Sequence, residues 1–311
     1  MEDKILGLHH ITAIAGEAKR NFNFYTRILG LRLVKKTVNF DDPTTYHLYY
    51  GDKAGTPGTI LTFFPWEGIE TGRRGASQVT EIGYSIPDTS FDFWLKRFET
   101  HNIIYNKVSQ KFGERYLTFI DPDGLKLELT ASKYPDNRLP WETQEVPAEH
   151  ATKGFHHITI TTNKIQPTAN VLTNIFGYRL LESQVNRFRY ITDSVEQANI
   201  VDIVEVPAEK AGHIAGGSVH HVAFRVKDDQ VLMNFREKIE AAGFNITEKI
   251  DRNYFYSLYF REPGGVLFEL ATDNPGFAVD EMADQLGSAL KLPEQYEKDR
   301  EAISHQLPKL D

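Results

Sequence analysis

Leu8-His9-His10-Ile11-Thr12 returns three times in altered form: as Val79-Thr80-Glu81-Ile82-Gly83, Phe155-His156-His157-Ile158-Thr159 and Val219-His220-His221-Val222-Ala223. The interval is roughly 70 residues, the mark of a repeated supersecondary unit. Each stretch reads as a short β-strand. Apolar residues at a spacing of three and four then predict helices over 22–29, 91–98, 169–176 and 232–239. Gly30, Gly177 and Gly243 stand where three of them end, a position that favours a left-handed residue. Alternating strands follow, such as 45–50 and 59–64. The second and fourth copies close with the turns Asp121-Pro122-Asp123-Gly124 and Glu262-Pro263-Gly264-Gly265. Each turn leads into a strand bearing a glutamate, Glu128 or Glu269. The unit is therefore βαβββ, present four times, and the fold class is α+β.

Outward from the repeats, residues 1–131 hold an N-terminal pair of modules and 155–272 a C-terminal pair. The polar, proline-bearing stretch 132–154 reads as a linker. Residues 273–311 read as a charged helical tail without chemistry of its own. The chain has 311 residues, enough for two domains. Hydrophobic residues make up 41% and charged residues 25%, values of a soluble globular protein. Net charge is −8 with both signs interspersed, which argues against a nucleic-acid surface. Neither a signal-peptide pattern nor a membrane-length apolar run is present. A cytoplasmic enzyme is the expectation. There are no cysteines, so disulfides are excluded and metal ligands must be His, Asp, Glu or another oxygen donor.

The chemistry concentrates in the histidine doublets and the late glutamates. His221 and Glu269 lie on the first and last strands of one module, so both can point at one centre. Two His and one carboxylate on one face of a metal leave positions open for substrate and oxygen. The third ligand has two candidates. His157 joins if modules three and four share a cup, and His10 joins if modules one and four do. Strand alternation predicts that only one His of each doublet enters a cup, while the other faces away or supports it from behind. Module three also offers Asp202 and Glu205, which could close a four-ligand site. Glu81, Glu128 and His157 form a mirrored set, read as a remnant. Arg73-Arg74-Gly75 reads as a solvated turn. No phosphate loop, nucleophile elbow or nucleotide fingerprint occurs.

Repeated βαβββ modules, with His on a first strand and Glu on a last, resemble the vicinal oxygen chelate superfamily. That group includes glyoxalase I, extradiol ring-cleaving dioxygenases and antibiotic-resistance proteins. The resemblance spans residues 5–272 and implies modules paired into two barrel-like cups. Four modules resemble the dioxygenase branch. Tyr259, Glu262, Pro263, Gly265 and Glu269 match the signature of catechol extradiol enzymes, but Arg252 stands where that signature begins with His. This departure is similar to the hydroquinone ring-cleaving dioxygenases. By that resemblance the metal ligands are His10, His221 and Glu269, and His9, Thr12, His220, Arg252 and Tyr259 are the catalytic support. The implied cofactor is Fe(II), with Mn(II) as the alternative. The implied partners are a small aromatic substrate and O2, with no nucleic acid and no membrane, and with room for a homo-oligomer. Competing readings are a catechol extradiol dioxygenase, a glyoxalase-type isomerase or lyase, and a non-catalytic binder.

Overall fold

Each predicted repeat is one βαβββ unit in the computed structural model, which describes residues 3–310. Module one comprises β1 (Leu8–Ala15), α1 (Ala18–Asn23), β2 (Arg32–Asn39), β3 (Asp42–Gly51) and β4 (Ile60–Pro65). Module two comprises β5 (Gln78–Ile86), α2 (Phe91–Thr100), β6 (Ser109–Lys111), β7 (Glu114–Ile120) and β8 (Lys126–Ala131). Module three comprises β9 (Phe155–Thr162), α3 (Ile165–Asn170), β10 (Arg179–Gln184), β11 (Arg187–Ile191) and β12 (Ile200–Glu205). Module four comprises β13 (Ser218–Val226), α4 (Asp229–Ala241), β14 (Ile250–Asp251), β15 (Phe255–Arg261) and β16 (Leu267–Pro275).

The modules assemble into two eight-stranded sheets, ordered β14-β15-β16-β13-β1-β4-β3-β2 and β10-β11-β12-β9-β5-β8-β7-β6. Modules one and four therefore share one cup, and modules two and three share the other. The halves of the chain are not the cups: each sheet takes one module from 1–131 and one from 155–272. The antiparallel pairs β1–β13 and β5–β9 form the two seams. Every residue of β1 is buried, because helices cover one face and the cup closes the other.

The helices form where the apolar spacing places them. In α4, Leu232, Phe235 and Ile239 make one buried stripe, and the Asp228 carboxylate caps the first turn by accepting from Val231 N at 3.0 Å. The first and third helices each end in a wider turn, Phe24–Ile28 and Val171–Ile175, before the glycine. Gly30 has φ +69°, and a Cβ there would meet Val146 at 2.8 Å. Val146 is fully buried, so the 132–154 segment packs into the core through it.

The tail corrects an expectation. It is helical only over two 3-10 turns and α5 (Arg300–Gln306). The rest is an arm packed across module one. Lys35, fully buried, is met there by Asp280 at 2.5 Å and by Glu281. Phe277 lies among Tyr49, Tyr254 and Phe255.

Candidate metal centre

Three adjacent strands of the first sheet carry His10, His221 and Glu269. In the β1–β13 pair Thr12 stands opposite His221, and in the β13–β16 pair Ala223 stands beside Glu269. One ligand atom from each of the three residues lies within 4.8 Å of the others, and all three residues are buried. Among the described residues this is the only such group, so modules one and four bring it together, and its third member is His10, not His157.

One histidine of each doublet is expected to enter the cup while the other faces away or supports it from behind; His9 supports His10 from behind, whereas His220 departs from the expectation by lining the cavity beside His221. The β1–β13 register slips between Leu8 and His10 and again between Thr12 and Ala13, where His220 is the extra residue on β13. A bulge re-aims a side chain that alternation would send to the other face. Both imidazoles of each doublet thus meet, His9 Nδ1 to His10 Nδ1 at 2.9 Å and His220 Nδ1 to His221 Nδ1 at 2.8 Å.

Those contacts fix where the protons sit. His9 Nε2 is 3.1 Å from the Thr272 carbonyl oxygen, which can only accept. His9 therefore carries its proton on Nε2 and accepts at Nδ1 from His10 Nδ1–H. That leaves a bare lone pair on His10 Nε2. Such outer partners commonly set the tautomer of a metal-binding histidine. In the second doublet the matching Nδ1–Nδ1 contact, with His221 as the donor, would leave His221 Nε2 bare as well. Burial lowers the His220 pKa to about 4 and also lowers that of His221, so both are neutral near pH 7.

Glu269 completes a set of acceptors. Its Oε1 accepts from the Ser257 hydroxyl. Its Oε2 lies 3.2 Å from His10 Nε2 and 2.9 Å from His221 Nε2, yet has no hydrogen-bond partner. Burial pushes this carboxyl up, and only positive charge at His10 and His221, or a cation standing between them, would hold Glu269 well below the usual carboxylate range. Two imidazole nitrogens and an orphaned carboxylate oxygen converge here. A buried anion so placed is costly until a cation meets it. The donor set therefore fits a divalent metal such as Fe, Mn or Zn.

Above the ligands lies a cavity of about 350 Å³. Phe64, Trp66, Phe255 and Leu267 give it apolar walls, and Arg252, Tyr259 and His220 supply polar groups. Arg252 donates from Nε to the Tyr259 hydroxyl at 3.3 Å, and its guanidinium lies 5.3 Å from that ring's centre. The surface ion pair that an isolated Arg would suggest is absent among the described residues. Thr12 is buried beneath, accepting from the Thr62 hydroxyl at 3.0 Å. Four residues here escaped the sequence reading. Phe255 packs on the His10 ring at 4.7 Å, Ser257 holds Glu269, and His47 and Tyr49 line the cavity. Alternation within β3 could have found the last two, since Thr45, His47 and Tyr49 share one face.

A model of the glyoxalase/bleomycin resistance protein/dioxygenase superfamily matches residues 7–129 and 154–270. The chain belongs to this superfamily. Within it the chain falls with the ring-cleaving dioxygenases. It is 43% identical over 307 residues to MhqO of Bacillus subtilis (strain 168), provisionally named a ring-cleaving dioxygenase, covering 99% of this chain and 97% of that one. It is 34% identical over 303 residues to the chlorohydroquinone/hydroquinone 1,2-dioxygenase of Sphingobium indicum, covering 96% and 94%. The crystal structure of a provisionally named dioxygenase from Bacillus subtilis superposes with a TM-score of 0.95 at 42% identity, covering 100% of this chain and 99% of that one.

The other cup of this superfamily member keeps the plan with different residues at its centre. The register slips past Thr80 and His156, matching the bulges of the first cup. His156 Nδ1 meets His157 Nδ1 at 2.9 Å, and His156 Nε2 meets Glu114 Oε1 at 3.1 Å, so His157 Nε2 is again a bare acceptor. Here Lys111 fills the centre, with its ammonium 2.8 Å from Glu128 and 3.2 Å from His157 Nε2. Glu81 pairs with Lys126 and Arg187. Asp202 and Glu114 clamp Arg189 at 2.8 and 2.6 Å. Glu205 accepts from Ile165 N at 2.9 Å, at the start of α3, and so is no ligand. The Arg73–Gly75 turn bridges to the matching connector of module four, with Arg73 opposite His213.

Proposed function

We propose that the protein is an Fe(II)-dependent dioxygenase that opens the ring of substituted hydroquinones in the cytoplasm. The observation that carries this reading is the three-ligand floor, His10, His221 and Glu269, beneath an aromatic-walled cavity. The β4 position facing the floor is Thr62, a residue without a carboxylate, and among the described residues no fourth His, Asp or Glu joins the group. Three ligands leave positions open for substrate and O2, unlike the closed set of an isomerase. The hydroquinone substrate class rests on Arg252, with support from the activity named for the Sphingobium relative. That no helix is long and apolar enough to cross a membrane agrees with the location.

When bound, the metal supplies Lewis acidity toward a phenolic oxygen and an electron path from ring to dioxygen. The chain's own groups do the rest. His9 and His220 hold the ligand imidazoles in the tautomer that keeps Nε2 free. Phe64, Trp66 and Leu267 exclude water, so that charge interactions inside are strengthened. Arg252 cannot serve as a base near neutral pH, but its guanidinium stabilises a phenolate or a developing oxyanion. Tyr259 takes the Arg252 N–H on its oxygen, and burial raises its pKa, so the phenol stays protonated across the working range.

The test is oxygen uptake after anaerobic Fe(II) reconstitution. Methylhydroquinone is expected to drive uptake faster than catechol and to give an acyclic semialdehyde or acid. Arg252→His is expected to lower the hydroquinone rate and raise the catechol rate. Uptake with catechol alone would reject the hydroquinone assignment, and no uptake with any phenol would reject the dioxygenase.

A further inference from the structure

Beside the metal ligands, four side chains from β1, β3 and β4 form a line whose proton order the structure determines. The Thr62 hydroxyl donates to Thr12 Oγ1 at 3.0 Å. Having one proton, Thr62 must then accept from His47, whose Nε2 lies 2.7 Å away. Burial lowers the His47 pKa well below the usual imidazole value, so the ring is neutral and carries one proton. That proton is on Nε2, and Nδ1 is an acceptor. At 2.9 Å from Nδ1 stands the Tyr49 hydroxyl, which therefore donates its proton to His47. Burial raises the Tyr49 pKa, so this proton stays on the phenol.

The consequence falls on the cavity, which both His47 and Tyr49 line. The Tyr49 proton is committed, so toward a ligand its oxygen can only accept. Tyr259 differs from Tyr49, because its oxygen takes the Arg252 N–H.

We propose that Tyr49, set by His47, is a specificity-determining acceptor that recognises an un-ionised hydroxyl on the aromatic ligand, the one not held at the metal. The proposal rests on the hydroquinone reading and gives the far hydroxyl its protein contact. A ligand whose second oxygen is an ether has no proton for Tyr49 and sets lone pair against lone pair. His47 is a positioning residue, acting through the Tyr49 proton.

The experiment compares hydroquinone with 4-methoxyphenol, which lacks only the second O–H. Binding to the Fe(II)-loaded protein is followed anaerobically through tryptophan fluorescence, since Trp66 lines the cavity. An unsatisfied buried acceptor predicts that the wild type prefers hydroquinone by about tenfold. Tyr49→Phe is expected to reduce the preference to about one. His47→Leu releases the Tyr49 proton, so the preference should fall to one or invert in favour of the ether. A structural role would weaken both ligands together and leave the ratio unchanged. Equal binding by the wild type, or an undiminished ratio in both variants, overturns the proposal. Oxygen uptake with methylhydroquinone, measured in parallel on the wild type, separates the two failures. Uptake without the preference rejects the Tyr49 acceptor alone, and the preference without uptake rejects the dioxygenase.

Discussion

The two cups are built on one strand plan with different floors. Where β13 of the first cup has His221, the matching position on β5 has Glu81. Glu269 on β16 corresponds to Glu128 on β8, and His10 to His157. Thr62, beside Thr12, becomes Asp202, beside Thr159. Tyr49, across from Thr62, becomes Arg189, across from Asp202. Phe255, which packs on His10, becomes Glu114, which holds His156. The first floor thus collects acceptors and no cation. The second pairs four cations, Lys111, Lys126, Arg187 and Arg189, with four anions, Glu81, Glu114, Glu128 and Asp202. Lys111 sits on the acceptor pair His157 and Glu128, the counterparts of His10 and Glu269. An ammonium of the chain itself thus takes the place that the first cup leaves for an external cation. The second floor is charge-compensated on a backbone that keeps the same bulges.

The largest effect expected from this contrast concerns metal content. Glu269→Gln and His221→Ala should each reduce bound Fe(II) from about one per chain to near zero, as a three-ligand site implies. His157→Ala and Glu128→Gln should leave it at about one. Elemental analysis after desalting reads both, and the reverse pattern would exchange the roles of the cups. Next comes Lys111→Ala. It leaves Glu128 without its ammonium, an uncompensated buried charge. Zn(II) bound should rise from about one toward about two per chain, and an unchanged value would show that Lys111 is not what excludes the metal.

The smallest effect concerns stability. Glu114 is buried, and although burial raises its pKa, His156 and Arg189 bring it down to about 2. A carboxylate depressed in the folded state contributes stability above its unfolded pKa, about 4.5, which is lost as pH falls toward about 2. Glu114→Gln should cost about 3 kcal/mol at pH 7, the scale for breaking a buried pair, and should flatten the fall in Tm between pH 4.5 and 2.5. Denaturant melts at several pH values would check it. A variant with the wild-type pH slope would mean that Glu114 does not couple the network to folding.

Much of this was legible in the residues. The repeat is visible because each copy must present the same apolar face, and His221 and Glu269 are visible because they end one module. Module pairing was not legible, since modules one and three open on nearly the same five residues and spacing cannot say which meets module four. His220 in the cavity was hidden because a bulge breaks the alternation on which strand reading depends. Lys111 was hidden for another reason. On a three-residue edge strand a lysine looks like any solvated charge, and only the fold brings it between Glu128 and His157. His47 and Tyr49 were overlooked within a strand that otherwise reads as core.

The most direct test of a metal held by one cup and replaced by lysine in the other is an anomalous difference map from crystals of the Fe(II)-reconstituted protein, recorded at the iron edge. One peak per chain is predicted, touching His10 Nε2, His221 Nε2 and Glu269 Oε2, with none beside Lys111. A peak between His157 and Glu128, or none at the three ligands, would contradict the account.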